Sequence, residues 1–95
     1  MKTINNHYII QMTKDFIDEK IDYLTYSLDY SYELISRWDK MNRESEELAD
    51  MINFYLFENG FDTIDLGYAG NEPLLRKVMR QQYMELMECI NSDIY

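Results

Sequence analysis

Ninety-five residues with eighteen acidic and nine basic side chains give a formal net charge of −9 and a pI near 4.4. A field of that sign repels nucleic acid and anionic membrane surfaces, which excludes direct DNA or RNA binding, and it attracts basic clefts on other proteins. The single cysteine, Cys89, leaves no intramolecular disulfide, and an apolar content of 46% suits one folded domain over residues 1–95.

The N-terminal "MKTINNHYIIQM" lacks the unbroken apolar region of a signal peptide, and no apolar run approaches the ~20 residues that span a bilayer. The expectation is a soluble, cytoplasmic protein. No glycine or proline precedes Gly60, so everything before it favours helix. One long helix is predicted from about Asn6 or Thr13 to about Met41. Within it the stretch "DFIDEKIDYLTYSLDYSYELI" repeats in sevens: Asp15, Asp22 and Asp29; Phe16, Tyr23 and Tyr30; Ile21, Leu28 and Ile35.

At about 100° per residue, Ile10, Ile17, Ile21, Leu24, Leu28 and Ile35 share one sector about 60° wide. Met12, Phe16, Tyr23, Tyr30, Leu34 and Met41 fill a second, about 120° away. Two readings follow. In one, the helix is central and both sectors are buried. In the other, the aliphatic sector packs on later helices while the aromatic one is an interface, with Phe16, Tyr23, Tyr30 and Trp38 as contact candidates. Tyrosine suits interfaces because it joins a large contact area to a polar tip, and heptad spacing suits pairing into a homodimer.

A third column is acidic. Asp15, Asp18, Asp22, Asp29 and Glu33 would form a ridge about 27 Å long at 1.5 Å per residue. It is either a solvated face or a docking surface for positive potential. The segment after it sharpens the second reading, because eight carboxylates and no lysine or arginine lie between Arg43 and Arg76. Ordinary helices intersperse both signs to gain i,i+4 pairs. The ridge is too sparse to copy a duplex, which carries about 16 charges in that length, so it matches one basic patch rather than a whole DNA site.

"MNRESEEL" breaks the long helix, with Asn42 or Ser45 as cap and Glu46 and Glu47 at the positive end of the next dipole. The second helix is predicted to run to about Asn59 on Leu48, Met51, Ile52, Tyr55 and Leu56. "ENGF" then ends it, with Gly60 left-handed and Phe61 folding back. "DTIDLGYAG" reads as a short strand or an ordered loop near 61–69. Asn71 and Pro73 open the third helix, whose apolar face is Leu75, Val78, Met79, Leu86, Cys89 and Ile90. The fold class is all-α: a three-helix domain with one long N-terminal helix.

No motif for catalysis, cofactor or metal emerges. "DTIDLGYAGNEP" places Ile64 and Leu66 where a calcium loop needs oxygen ligands. "GYAGNEP" could hold phosphate on backbone N–H groups but has no following Lys-Ser or Lys-Thr pair and acidic surroundings. His7 is the sole histidine, too little for a transition metal, and reads as a surface residue. Arg76, Lys77 and Arg80 form the one basic cluster, best explained by pairing with the protein's own carboxylates.

In small size, acidity, helical character and Tyr, Met and Asn usage, the chain resembles phage-encoded anti-defence proteins. These are the DNA-mimicking antirestriction inhibitors and the anti-CRISPR proteins. The segment "MINFYLFENGFDTIDL", a helix ending in glycine before an acidic apolar strip, is similar to the antirestriction class. The resemblance implies a non-enzymatic inhibitor whose acidic surface occupies a basic, nucleic-acid-binding cleft on a host protein. The residues available for that role are Asp15, Asp18, Asp22, Asp29 and Glu33, then Glu46, Glu47 and Asp50. The alternative is a small helical adaptor that binds through its aromatic stripe, its acidity serving only solubility.

Overall fold

The computed structural model describes residues 3–64 and 71–92. It is all-α, and among the described residues there is no strand. Helix α1 (Ile4–Ile17) is followed by α2 (Tyr23–Glu44), α3 (Glu46–Ile52) and α4 (Glu72–Ser92). A π-helical segment (Asn53–Glu58) continues α3, and a 3₁₀ turn (Phe61–Thr63) follows it.

The long N-terminal helix is therefore two helices. The break is a Schellman turn: Lys20 N–H donates to the Asp15 carbonyl at 2.8 Å, and Glu19 N–H to the Phe16 carbonyl at 3.1 Å. Glu19 occupies the left-handed position at φ 62°, where glycine is usual. Asp22 then opens α2 as its N-cap, its carboxylate accepting from Thr25 N–H at 2.7 Å. Satisfied caps on both sides offset the left-handed residue. The heptads that straddle residues 18–22 thus belong to different helices.

Helix α1 packs on both α2 and α4, α2 packs on α3, and α4 packs on the π segment. The aromatic sector lies inside. Phe16 stacks on Tyr26 with centroids 4.2 Å apart and rings 4° from parallel. Tyr26 meets Tyr30 at 5.1 Å, and Tyr30 meets Phe61 at 4.8 Å. Arg76 closes this column from the other side, its guanidinium 4.2 Å from the Phe16 ring centroid while also donating to the Phe16 carbonyl. Around it the core includes Ile9, Leu34, Met41, Ile52, Leu56, Leu75, Met79 and Leu86. Of the aromatic stripe, Phe16 and Tyr30 are buried within the chain and Tyr23 is half-buried, so the stripe serves the core rather than an outer surface.

The second predicted helix is α3 plus the π segment, whose wider turn is read from the Asn59 N–H donating to the Phe54 carbonyl five residues back at 3.0 Å. Ser45 is its N-cap, accepting from Leu48 N–H at 3.2 Å, with Glu46 and Glu47 in the first turn. Asn42 instead stays in α2 and donates to the Trp38 carbonyl. Gly60 is not left-handed; its φ is −119°. Glycine is needed there because a Cβ would sit 2.7 Å from the Leu56 carbonyl oxygen and 2.9 Å from the Met79 sulfur. Phe61 does fold back and is buried. Of the strip near 61–69, Phe61 to Thr63 are a 3₁₀ turn, and residues 65–70 lie outside the described residues.

Candidate functional site: the outer face of α2

Helix α2 lies at the edge of the bundle, with α1 on one side and α3 on the other. Its inward face is Tyr26, Tyr30, Leu34 and Met41. The aliphatic sector was expected to pack on the later helices. Only its α1 members, Ile10 and Ile17, are buried, and Ile21 in the turn is half-buried. On α2 the sector faces outward: Leu24, Leu28 and Ile35 are 64%, 67% and 76% exposed. Tyr32, beside them, is exposed as well. The break at residues 18–22 explains the outcome, since it lets α2 rotate independently of α1 and present its aromatic flank to the core.

This stripe is bordered by two grooves. One, of about 360 Å³, lies between α2 and the π segment and is lined by Ser31, Leu34, Ile35, Trp38, Asp39, Asn53 and Phe57. Trp38 is half-buried there, packing against the core with one side and walling the groove with the other. The other, of about 260 Å³, lies between α1 and α2 and carries Tyr8, Met12, Asp15, Ile21 and Asp29. Three large aliphatic side chains in water over three helical turns, flanked by concave surface, are unusual on a chain this polar.

The acidic ridge is divided by the break between α1 and α2, and most of its carboxylates have partners within the chain. Asp18 is bonded to Lys14, and that bond holds its carboxyl below the usual range. Asp22 is spent on the cap, and the Thr25 N–H keeps its carboxyl low as well. Glu33 pairs with Arg37 at 3.1 Å, and Asp15 accepts from Gln11 at 2.8 Å. Asp15 and Asp29 come together along the α1–α2 groove, and Glu33, one turn beyond Asp29, accepts at 3.4 Å from Tyr8 in the same groove. The remaining candidates fare differently. Glu46, Glu47 and Asp50 on α3 are all exposed, and the ion pairs among the described residues (Lys14–Asp18, Arg37–Glu33 and Arg76–Glu72) leave them out.

Glu44, at the end of α2, does structural work that the sequence did not announce. Its carboxylate accepts from the backbone N–H groups of Asn5 and Asn6 at 2.9–3.1 Å and from both side-chain amides, capping α1 from a distance. Burial pushes its carboxyl up, but these donors outweigh burial and the net direction is down. A depressed carboxyl stabilises the fold above its unfolded value and loses that contribution as pH falls through its folded value. Glu44→Gln is therefore expected to cost about 1–2 kcal/mol at neutral pH. The gap from the native chain should close in urea titrations as pH falls below the ordinary carboxylate value and through the lower folded one.

Among the described residues no three His, Cys, Asp or Glu side chains are grouped to hold a metal ion, and no helix is long and apolar enough to cross a membrane. His7 is exposed and bonded to Thr3. Arg76 pairs with Glu72, as expected, while Lys77 and Arg80 are exposed. Cys89 is half-buried with its sulfur 3.0 Å from the Tyr55 hydroxyl. The chain matches no protein-family model, no curated protein and no solved structure.

Proposed function

We propose that the protein is a non-enzymatic regulator or inhibitor that works by binding protein, and that the outer face of α2 is its docking surface. The observation that carries this reading is the exposure of Leu24, Leu28 and Ile35 beside the Trp38–Phe57 groove. Leaving such side chains in water forgoes roughly 1.5–3 kcal/mol each of burial, which a bound protein recovers. The exposed acids of α3, Glu46, Glu47 and Asp50, contribute long-range attraction to a basic target and so quicken encounter. Their exposure supports the anti-defence reading, in which carboxylates occupy a basic, nucleic-acid-binding cleft on a host protein.

The test compares three baits in affinity capture from cells that carry the gene: the native chain, Leu28→Glu with Ile35→Glu, and Glu46→Lys with Glu47→Lys and Asp50→Lys. Bound protein, including untagged copies of the chain itself, is expected to disappear with the first set of substitutions. With the second it should be retained but slower to form and less weakened by added salt, because the attraction that salt screens is gone. Loss of every bound protein with the α3 reversals alone, with the α2 double substitution harmless, would transfer the docking surface to the acids.

A further inference from the structure

We infer that the occupant of the outer α2 face is a second copy of the same chain, the two α2 helices packing antiparallel along a heptad seam. This rests on the reading that the face binds protein and names what it binds. Ile21, Leu28 and Ile35 recur every seven residues, and Leu24, Ser31 and Trp38 recur every seven, three places later. That alternation of three and four is the spacing with which one helix lies along another. Within the chain the middle of this seam is unanswered, since Leu24, Leu28 and Ile35 are exposed, while Ile21 and Trp38 at its ends are half-buried against the core.

Side-chain size sets the direction. A parallel pair would put Trp38 against Trp38 and Ser31 against Ser31, a collision in one layer and a gap in another. An antiparallel pair with its two-fold axis between Leu28 and Ser31 sets each Leu28 over the opposing Ser31. Leu24 then faces the opposing Ile35, and at each end of the seam Ile21, in the turn before α2, comes level with Trp38. Each layer joins one larger and one smaller side chain, or two of equal size, and the surface is complementary to itself as a two-fold interface must be.

Charge and area agree. Along the strip Leu24, Thr25, Leu28, Ser31, Tyr32 and Ile35 are uncharged on a chain whose net charge is −9, and the exposed Asp29 stands at its edge on the α1–α2 groove. Two copies of an acidic chain approach each other with least repulsion along such an uncharged strip, the carboxylates of Asp29 and Asp39 staying at its edges. The exposed fractions of Leu24, Leu28, Tyr32 and Ile35, with the groove walls, amount to roughly 700 Å² per copy. The pair would bury about 1,400 Å², within the ~1,200–2,000 Å² of stable interfaces.

The closing experiment is sedimentation equilibrium of the full chain across concentration and NaCl, with the folding of each variant checked by circular dichroism. The native chain is expected to dimerise, and Leu28→Glu with Ile35→Glu to raise the dissociation constant at least about tenfold. Salt should tighten the dimer between about 0.05 and about 0.5 M NaCl because it screens repulsion between two negative chains. For the register, in a Cys89→Ser background, a mixture of Leu28→Cys and Ser31→Cys chains should form a disulfide faster than either alone. A dimer that ignores the double substitution, or Ser31→Cys alone cross-linking fastest, overturns the seam. A native chain monomeric at about 100 µM overturns the second copy as occupant. If the double substitution still abolishes capture of another protein, the docking face itself stands; if capture also survives, both readings fall.

Discussion

Tyr30→Ala is expected to remove about 3–5 kcal/mol of stability, on the scale of large buried aromatic truncations. A domain of this size holds only about 5–14 kcal/mol in total, so the substitution takes a large share and should lower the melting temperature by roughly 15 °C or more. The ring is fully buried between Tyr26 and Phe61, in the column that begins with Phe16 and Arg76. Truncation leaves a cavity that rigid helices on both sides cannot close. The companion Tyr30→Phe should cost nothing or stabilise slightly, because the Tyr30 hydroxyl is buried without a hydrogen-bond partner among the described residues. The hydroxyl of Thr13 is taken instead by Tyr26 at 2.9 Å. Urea unfolding of the two variants separates ring from hydroxyl. An unchanged melting curve for Tyr30→Ala together with lost association would restore the aromatic stripe as an interface.

Gly60→Ala is expected to cost about 2–3 kcal/mol, an overpacking penalty rather than a conformational one. The added carbon meets the Leu56 carbonyl oxygen at 2.7 Å, the Met79 sulfur at 2.9 Å and the Tyr55 carbonyl oxygen at 3.1 Å. Met79 can yield, but the carbonyls are fixed by the π segment. Pairing the change with Met79→Ala should therefore fail to restore stability. Full recovery in that double variant, measured by thermal melts, would show that the backbone contact is not limiting.

These two sites also show where the sequence was readable and where it was not. Ser45 with Glu46 and Glu47 announced a helix start in the ordinary way, and Leu75, Met79 and Leu86 announced the buried face of α4. The stop after Ile17 carried no glycine: its left-handed position is Glu19, so composition gave no punctuation there. The remaining signal was Asp22 three residues before Thr25, a cap hidden inside an apparently continuous heptad pattern. Once that turn is missed, α1 and α2 share one wheel and their faces merge. The aliphatic stripe then seems to point inward, the aspartates align as a ridge, and the tyrosines look surplus. Periodicity found the right stripes on α2 but could not say which of them met the core, because that depends on the rotation set by the turn. Glu44 escaped for a related reason, since its donors Asn5 and Asn6 are nearly forty residues away in sequence.

The most direct measurement of whether the outer face of α2 is the docking surface is methyl NMR, recorded as the captured protein, or more of the chain itself, is added. The methyl signals of Leu24, Leu28 and Ile35 are expected to shift and broaden together, while those of the core residues Ile9, Ile52 and Leu56 keep their positions. Binding that leaves the three α2 methyls unmoved and perturbs only the neighbours of Glu46, Glu47 and Asp50 would contradict the account.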